Sequence, residues 1–196
     1  MRALSFFLPF RNEVATLRST VEAITVVAKA HLDDHEIVLV DDHSSDGSSE
    51  VAAGLAKENH VRVVTLVDEF GFGAGFLAGL RTARFEFAMY LAADGDASVG
   101  ELTEILRQWE GRRPLIQFCT NDRSRAPARF LLSRAYSEVV RRLSGTTLPY
   151  YNGFNILPTR KPESTRLMDF GFCTQAHAVL TLLSSTEIEP QLVGTV

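Results

Sequence analysis

The stretch EIVLVDDHSSDGS, Glu36 to Ser48, decides the architecture. Ile37, Val38, Leu39 and Val40 are apolar without a break, whereas a strand with one wet face would alternate. Both faces of this strand must therefore be covered. Asp41 and Asp42 close it, and Asp46–Gly47 opens a turn before the helical SSEVAAGLAKEN, where Asp46 is placed to cap the helix.

Working outward, the same alternation repeats. ALSFFLPF is an apolar run ahead of a helical pattern with Val14, Leu17, Val21 and Ile24 on one face. VRVVTLV is a third strand, followed by a glycine-rich turn and the helical FLAGLRTA. FEFAMYLAAD is a fourth strand; Ser98 and Glu101 form a capping box that starts ELTEILRQWEG, and PLIQFCTND is a fifth strand. Such alternation predicts a mostly parallel α/β sheet flanked by helices, a single domain over residues 1–196. Ligands of these sheets bind at the carboxyl ends of the strands. Here those ends hold Pro9–Glu13, Asp41–Ser45, Asp68–Gly73, Asp94–Asp96 and Asn121–Arg123. After Arg123 the alternation stops. An amphipathic basic helix (ARFLLSRAYSEVVRRLSG), a short strand within YYNGFNILP, a further helix and a terminal strand or edge follow.

Composition bounds the chemistry. With 45% hydrophobic and 22% charged residues the chain has the make-up of an ordinary soluble protein. A net charge of −4 gives no reason to expect nucleic acid, so an anion site must be local. Cys119 and Cys173 lack metal-ligand spacing, which leads to the expectation of a reduced, cytoplasmic protein. MRALSFFLPF meets Pro and charge too early for a secretory leader, and no apolar run reaches the ~20 residues of a membrane span. A membrane role would then be peripheral.

Asp41 and Asp42 can accept hydrogen bonds from a nucleobase N–H or a ribose hydroxyl; the plainer alternative is helix capping. Gly71, Gly73, Gly75 and Gly79 admit two readings. One is a dinucleotide fingerprint, with Asp94 about 20 residues on as the ribose acid. Against it, the glycines follow the third strand and Phe76 stands where the last glycine belongs, so close helix–strand packing at Gly79 is the competing reading. Asp94 and Asp96 suit a divalent metal, since Mg²⁺ and Mn²⁺ favour carboxylate and phosphate oxygens. A solvated turn with Gly95 at positive φ would also account for them. The arginines from Arg123 to Arg142 form either an anion-receiving or membrane-facing edge, or a solvated helix face. Arg123, at a strand end, is the better ligand candidate. His43 and His177 are read as structural.

Taken together, FFLPFRNE, EIVLVDDHSSDGS, GFGAGFLAGL, YLAADGD and YYNGFNI…FGFCTQA resemble the family 2 glycosyltransferases of the GT-A fold, nearest to the dolichyl- or polyprenyl-phosphate sugar synthases. The resemblance implies that Pro9, Arg11 and Glu13 contact the nucleotide, that Asp41 and Asp42 hold base and ribose, and that Gly73 belongs to the donor-binding set. It places Asp94 in the D-A-D motif in either of two registers, paired with Ala92 or with Asp96. Arg123 matches the arginine after the fifth strand, and Arg129 one that receives the lipid phosphate. His177 stands where relatives commonly carry Glu, and Pro149 where many carry Asp.

The expectation is a single GT-A unit, residues 1–123 binding a UDP- or GDP-linked sugar and residues 124–196 forming the acceptor side. The acceptor implied is a polyprenyl phosphate, with Mg²⁺ or Mn²⁺ as cofactor and inversion at the anomeric carbon. Asp94, Asp96, Arg123 and Arg129 would carry catalysis, and a peripheral membrane contact accompanies a lipid acceptor. Two alternatives stay open: transfer to a soluble hydroxyl with Asp122 as base, or a nucleotide-sugar-binding module without turnover.

Overall fold

The computed structural model describes residues 1–67, 70–95, 99–119, 135–136, 138–142, 145, 153–160, 165–186 and 189–195. Asp96, Ser98, Asp122, Arg123, Arg129 and Pro149, all singled out above, lie outside them.

Seven strands form one sheet: β1 Ala3–Phe10, β2 Asp34–Asp41, β3 Val61–Thr65, β4 Phe87–Tyr90, β5 Leu115–Cys119, β6 Ile156–Pro158 and β7 Gln191–Thr195. Their order is β3-β2-β1-β4-β6-β5-β7. All pairings are parallel except those of β6, which runs against both β4 and β5. The helices are α1 Leu17–His31, α2 Ser48–Leu55, α3 Gly71–Thr82, α4 Val99–Gln108 and α5 Thr174–Thr186. Residues 135–136 and 138–142 are also helical.

The unbroken apolar strands are explained by a core on each side of the sheet. Leu4, Phe6, Leu8 and Phe10 of β1, with Ile37 and Leu39 of β2, meet α1 and α4. Phe7, Val38 and Val40 point the other way, onto Phe76, Leu77 and Leu80 of α3 and Val179 and Leu182 of α5. Each such side chain contributes about 1.5–3 kcal/mol when fully buried.

Two local expectations change. Val14 does not belong to α1, which begins at Leu17; Val14 is exposed and its N–H donates to Asp46 Oδ2 at 3.1 Å. The glycine-rich stretch is not a turn but the body of α3. It is glycine-rich because α3 lies nearly in contact with its neighbours. A β-carbon at Gly79 would sit 2.4 Å from Phe7 Cδ2, and one at Gly73 would sit 1.7 Å from Asp169 Oδ1. That packing accounts for Gly73, Gly75 and Gly79 without a dinucleotide, while Gly71 adopts a positive φ of 87°. The expected capping box involves Ser98, outside the described residues; within them, Glu101 accepts a hydrogen bond from Gln117 Nε2 at 2.8 Å, so its carboxylate ties α4 to β5.

At the amino end of the sheet, Ser5 interrupts an apolar strand for a reason. Its hydroxyl donates to Glu36 Oε1 at 2.6 Å, and Glu36, fully buried, also receives Arg62 Nε at 3.0 Å and Arg84 Nε at 3.0 Å. One carboxylate thus joins β1, β2, β3 and the start of the α3–β4 connection.

Candidate functional site

The loops after β1 and β2 are stitched together at the carboxyl edge of the sheet. Asn12, at φ 59°, donates its N–H to Ser44 Oγ at 3.1 Å and accepts Ser45 N–H at 2.8 Å through Oδ1. Glu13 N–H donates to Ser48 Oγ at 2.7 Å, and Glu13 Oε2 accepts the Thr16 hydroxyl at 2.9 Å. Asp46 accepts the Ser48 N–H at 2.9 Å, satisfying the first amide of α2 as the sequence suggested.

Asp41 and Asp42 are adjacent but differ in kind. Both oxygens of Asp41 are engaged within its own loop, by Ser44 N–H at 3.0 Å and by the Ser49 hydroxyl. Asp42 is 7% exposed, and its Oδ2 accepts the Gly71 N–H at 2.9 Å, anchoring the start of α3. The Arg11 guanidinium stands 4.0 Å from that same oxygen with its side chain 60% exposed. Asp42 Oδ1 is sealed from solvent and has no hydrogen-bond donor among the described residues. The His43 ring nitrogen is 3.7 Å away, and His43, at φ 57°, leans on Phe70 with ring centroids 4.6 Å apart.

Pro9 lies on the α3 side of β1, under Gly75. Gly73 is buried with Asp169 occupying the space beside its Cα. Of the donor-side residues, the structure brings Arg11, Asp42 and the first turn of α3 together; Glu13 turns toward Thr16, and Asp41 into its loop.

The β4 end carries Asp94. The Leu91 N–H donates to Phe7 O at 3.1 Å and Ala93 O accepts the Thr20 hydroxyl at 3.4 Å, which fixes the loop from both sides. Asp94 is exposed, and Gly95 has φ +83° as expected. Burial pushes the Tyr90 phenol up to about 12, and the nearby Asp94 charge adds to that shift. Among the described residues no three potential ligands cluster around a metal. The Asp94 carboxylate nonetheless fits a hard cation, because Mg²⁺ is commonly held by one or two carboxylates together with substrate phosphates and water.

Sequence reasoning missed the polar floor beside this loop. Buried Gln117 donates to Glu101, accepts the Phe154 N–H at 3.1 Å, and its backbone N–H donates to Asn155 Oδ1 at 3.1 Å. Gln175 Nε2 donates to Gly153 O at 2.7 Å. The signal was present: a glutamine inside the apolar PLIQF needs internal partners if that strand is buried. His177 lies in α5 beside Phe170, ring centroids 4.9 Å apart.

A model of the family described as "Glycosyl transferase family 2" matches residues 5–173. Among curated relatives, the undecaprenyl-phosphate 4-deoxy-4-formamido-L-arabinose transferase of Yersinia pestis (strain Pestoides F) is 24% identical over 153 residues, covering 77% of this chain and 47% of that protein. The protein of the same name from Pseudomonas fluorescens (strain SBW25) is 26% identical, with 77% and 45% covered. The chain thus spans about half the length of the curated relatives it matches. Among solved structures, glucosyl-3-phosphoglycerate synthase from Mycobacterium tuberculosis in complex with Mn²⁺, UDP and phosphoglyceric acid superposes with a TM-score of 0.69. It is 17% identical, and the match covers 98% of this chain and 68% of that one. Mannosyl-3-phosphoglycerate synthase from Rubrobacter xylanophilus gives 0.58 at 21% identity, covering 80% and 53%.

Proposed function

The chain belongs to glycosyl transferase family 2, and from that premise we propose that it transfers a sugar from a nucleoside-diphosphate donor to a polyprenyl phosphate. The observation that carries the donor half is Asp42 Oδ1, buried at the carboxyl edge of the sheet without a donor among the described residues. A buried acceptor left unpaired costs about 1–3 kcal/mol, and a nucleotide N–H or ribose hydroxyl offsets that cost on binding. Arg11, beside Asp42 and exposed, supplies positive charge at the mouth of the same site.

Residues 1–123 form the donor side and residues 124–196 the acceptor side. Asp94, with Asp96, holds the divalent cation, and Pro9, Glu13, Asp41 and Gly73 shape the donor pocket around Asp42. When bound, the cation neutralises charge developing on the departing diphosphate. Arg123 stabilises the same charge, and Arg129 receives the acceptor phosphate. A phosphate monoester is already anionic near neutral pH, so it attacks without a general base, and catalysis rests on positioning and electrostatics. In-line attack inverts the anomeric carbon. The names of the curated relatives support a lipid phosphate, and no helix among the described residues is long and apolar enough to cross a membrane. Such an acceptor brings the protein to the membrane surface peripherally.

The second reading is transfer to a soluble hydroxyl acceptor, favoured by the phosphoglyceric acid bound in a structural neighbour. Transfer assays with UDP- and GDP-sugars separate the two. Activity on a short-chain prenyl phosphate that survives Asp122→Ala but loses acceptor affinity in Arg129→Ala supports the first. Loss of turnover in Asp122→Ala, with no use of prenyl phosphate, supports the second.

A further inference from the structure

We propose that the His43 imidazole is a displaceable cover over Asp42 Oδ1 and that, once protonated, it competes for that oxygen with the N–H or hydroxyl of the donor nucleotide. This rests on the reading of Asp42 as a donor-binding residue and goes further by giving the same site a proton-dependent competitor.

As it stands, Asp42 Oδ1 is closed to any ligand. It has no hydrogen-bond donor among the described residues, yet it is sealed from solvent. A nucleotide pairs with it only after something moves. Most of what surrounds residue 42 is committed: its N–H donates to Phe10 O at 2.9 Å, and Oδ2 accepts the Gly71 N–H at 2.9 Å. Against Oδ1 itself stands His43, with Nδ1 3.7 Å away. That distance is too long for a hydrogen bond, but a small rotation of the ring closes it.

The backbone explains how the ring comes to lie there. In a continuing strand the side chains of residues 42 and 43 would point to opposite faces. His43 instead adopts φ 57°, in the left-handed region that histidine enters more readily than most residues. Its ring therefore folds back beside the preceding carboxylate. The side chain is 38% exposed and rests on Phe70, with centroids 4.6 Å apart and planes 44° from parallel. A partly exposed ring leaning on another ring swings aside far more easily than the β1 backbone or the start of α3 can withdraw.

Charge decides when the cover holds. The Arg11 guanidinium, 4.0 Å from Oδ2, stays charged at any working pH. Asp41, behind Asp42 in the strand, is taken up by the Ser44 N–H and the Ser49 hydroxyl. Phe70, across the ring, carries no charge, and Asp68 and Glu69 before it lie outside the described residues. Of the described groups that face Asp42, histidine alone is a residue type whose charge changes between about pH 5 and 8. A neutral ring carrying its proton on Nε2 offers Oδ1 nothing. A protonated ring is a donor at both nitrogens, so Nδ1–H can supply the missing bond, strengthened by charge. A nucleotide that takes the oxygen must then expel that proton. Donor affinity should therefore climb as pH rises through the imidazole titration and level off above it.

The test is calorimetric titration of UDP-glucose and GDP-mannose, with Mn²⁺ present throughout, into wild type and His43→Asn. Sugar nucleotides are chosen because their diesterified diphosphate does not itself titrate over this range. Wild type should bind one of them about threefold to tenfold more weakly at about pH 5.5 than at about pH 8. Near pH 6, titrations in two buffers of different ionisation enthalpy should show a proton released on binding. Asparagine tolerates the left-handed backbone but takes up no proton, so His43→Asn should lose both the pH dependence and the proton release. His43→Gly, also suited to φ 57°, should do the same and guards against misfolding of the first variant. Any pH dependence of the metal or of other carboxylates is common to all three proteins, so the difference between them isolates residue 43. Wild-type binding that ignores pH, or a His43→Asn variant that keeps the wild-type slope, would overturn the competition and leave the donor reading standing. Equal weakening of the variants at both pH values would make the ring a fixed part of the pocket and also overturn it. No binding of either sugar nucleotide by wild type at any pH would overturn both.

Discussion

Two buried carboxylates lie near opposite ends of one strand, and they are used in opposite ways. Glu36, near the start of β2, receives Ser5, Arg62 and Arg84 on both of its oxygens. Asp42, just past the end of β2, gives one oxygen to Gly71 and leaves the other without a donor among the described residues. A charge that is buried and fully partnered joins elements of the fold. A charge that is buried and half partnered awaits something from outside. The contrast separates the stabilising end of the sheet from its working end.

The strongest way to break this contrast is at the partnered end. Glu36→Ala should cost about 3 kcal/mol in urea melts, because it leaves the Ser5 hydroxyl and two arginines without their common partner. Donor affinity in the folded variant should stay at wild type. If instead the melt is unchanged and nucleotide binding falls, the division is wrong.

Asp42→Asn should do the reverse. Binding of the donor nucleotide should weaken by about tenfold to a hundredfold, while stability stays within about 1 kcal/mol, since an amide oxygen can still accept the Gly71 N–H. Gly79→Ala should cost about 1–3 kcal/mol by driving α3 off Phe7, with stability as the readout. A neutral result there would mean that the glycines of α3 serve something other than packing.

The smallest effect is a pH dependence from His35, at the amino end of the sheet. Burial first, then the His60 ring and Lys29, hold it below its ordinary value of 6.5, with Asp34 working against them. The unfolded chain therefore takes up the proton more readily. Stability from this group is complete above 6.5 and is lost as pH falls from there through the lower folded value. Melts at about pH 7.5 and 5.5 should show that loss, and His35→Gln should reduce the slope.

Much of the working end was legible before any coordinates. Unbroken apolar runs such as Ile37–Val40 require cover on both faces, and acids at their ends mark the carboxyl edge. The difference between Asp41 and Asp42 was not legible, because it depends on Ser44 and Ser49 turning toward one and Gly71 toward the other. Nor was the insertion of β6 between β4 and β5: three residues carry too short a pattern to announce an antiparallel partner. The glycine stretch read as a turn because glycine weakens isolated helices, yet here Asp169 and Phe7 lie too close to α3 for a β-carbon at Gly73 or Gly79. Gln117 was visible only as a polar residue in an apolar strand; its partners come from two other segments, at Glu101 and at Phe154–Asn155.

The most direct test of the central claim is calorimetric titration of UDP and GDP, with and without Mn²⁺, into wild type, Asp42→Asn and Asp94→Ala. The account predicts binding of at least one diphosphate by wild type. That binding should be weakened in Asp42→Asn whether or not metal is present, and should lose its Mn²⁺ dependence in Asp94→Ala. Binding in Asp42→Asn equal to wild type would contradict it, and the buried Asp42 oxygen would then have no part in holding the donor.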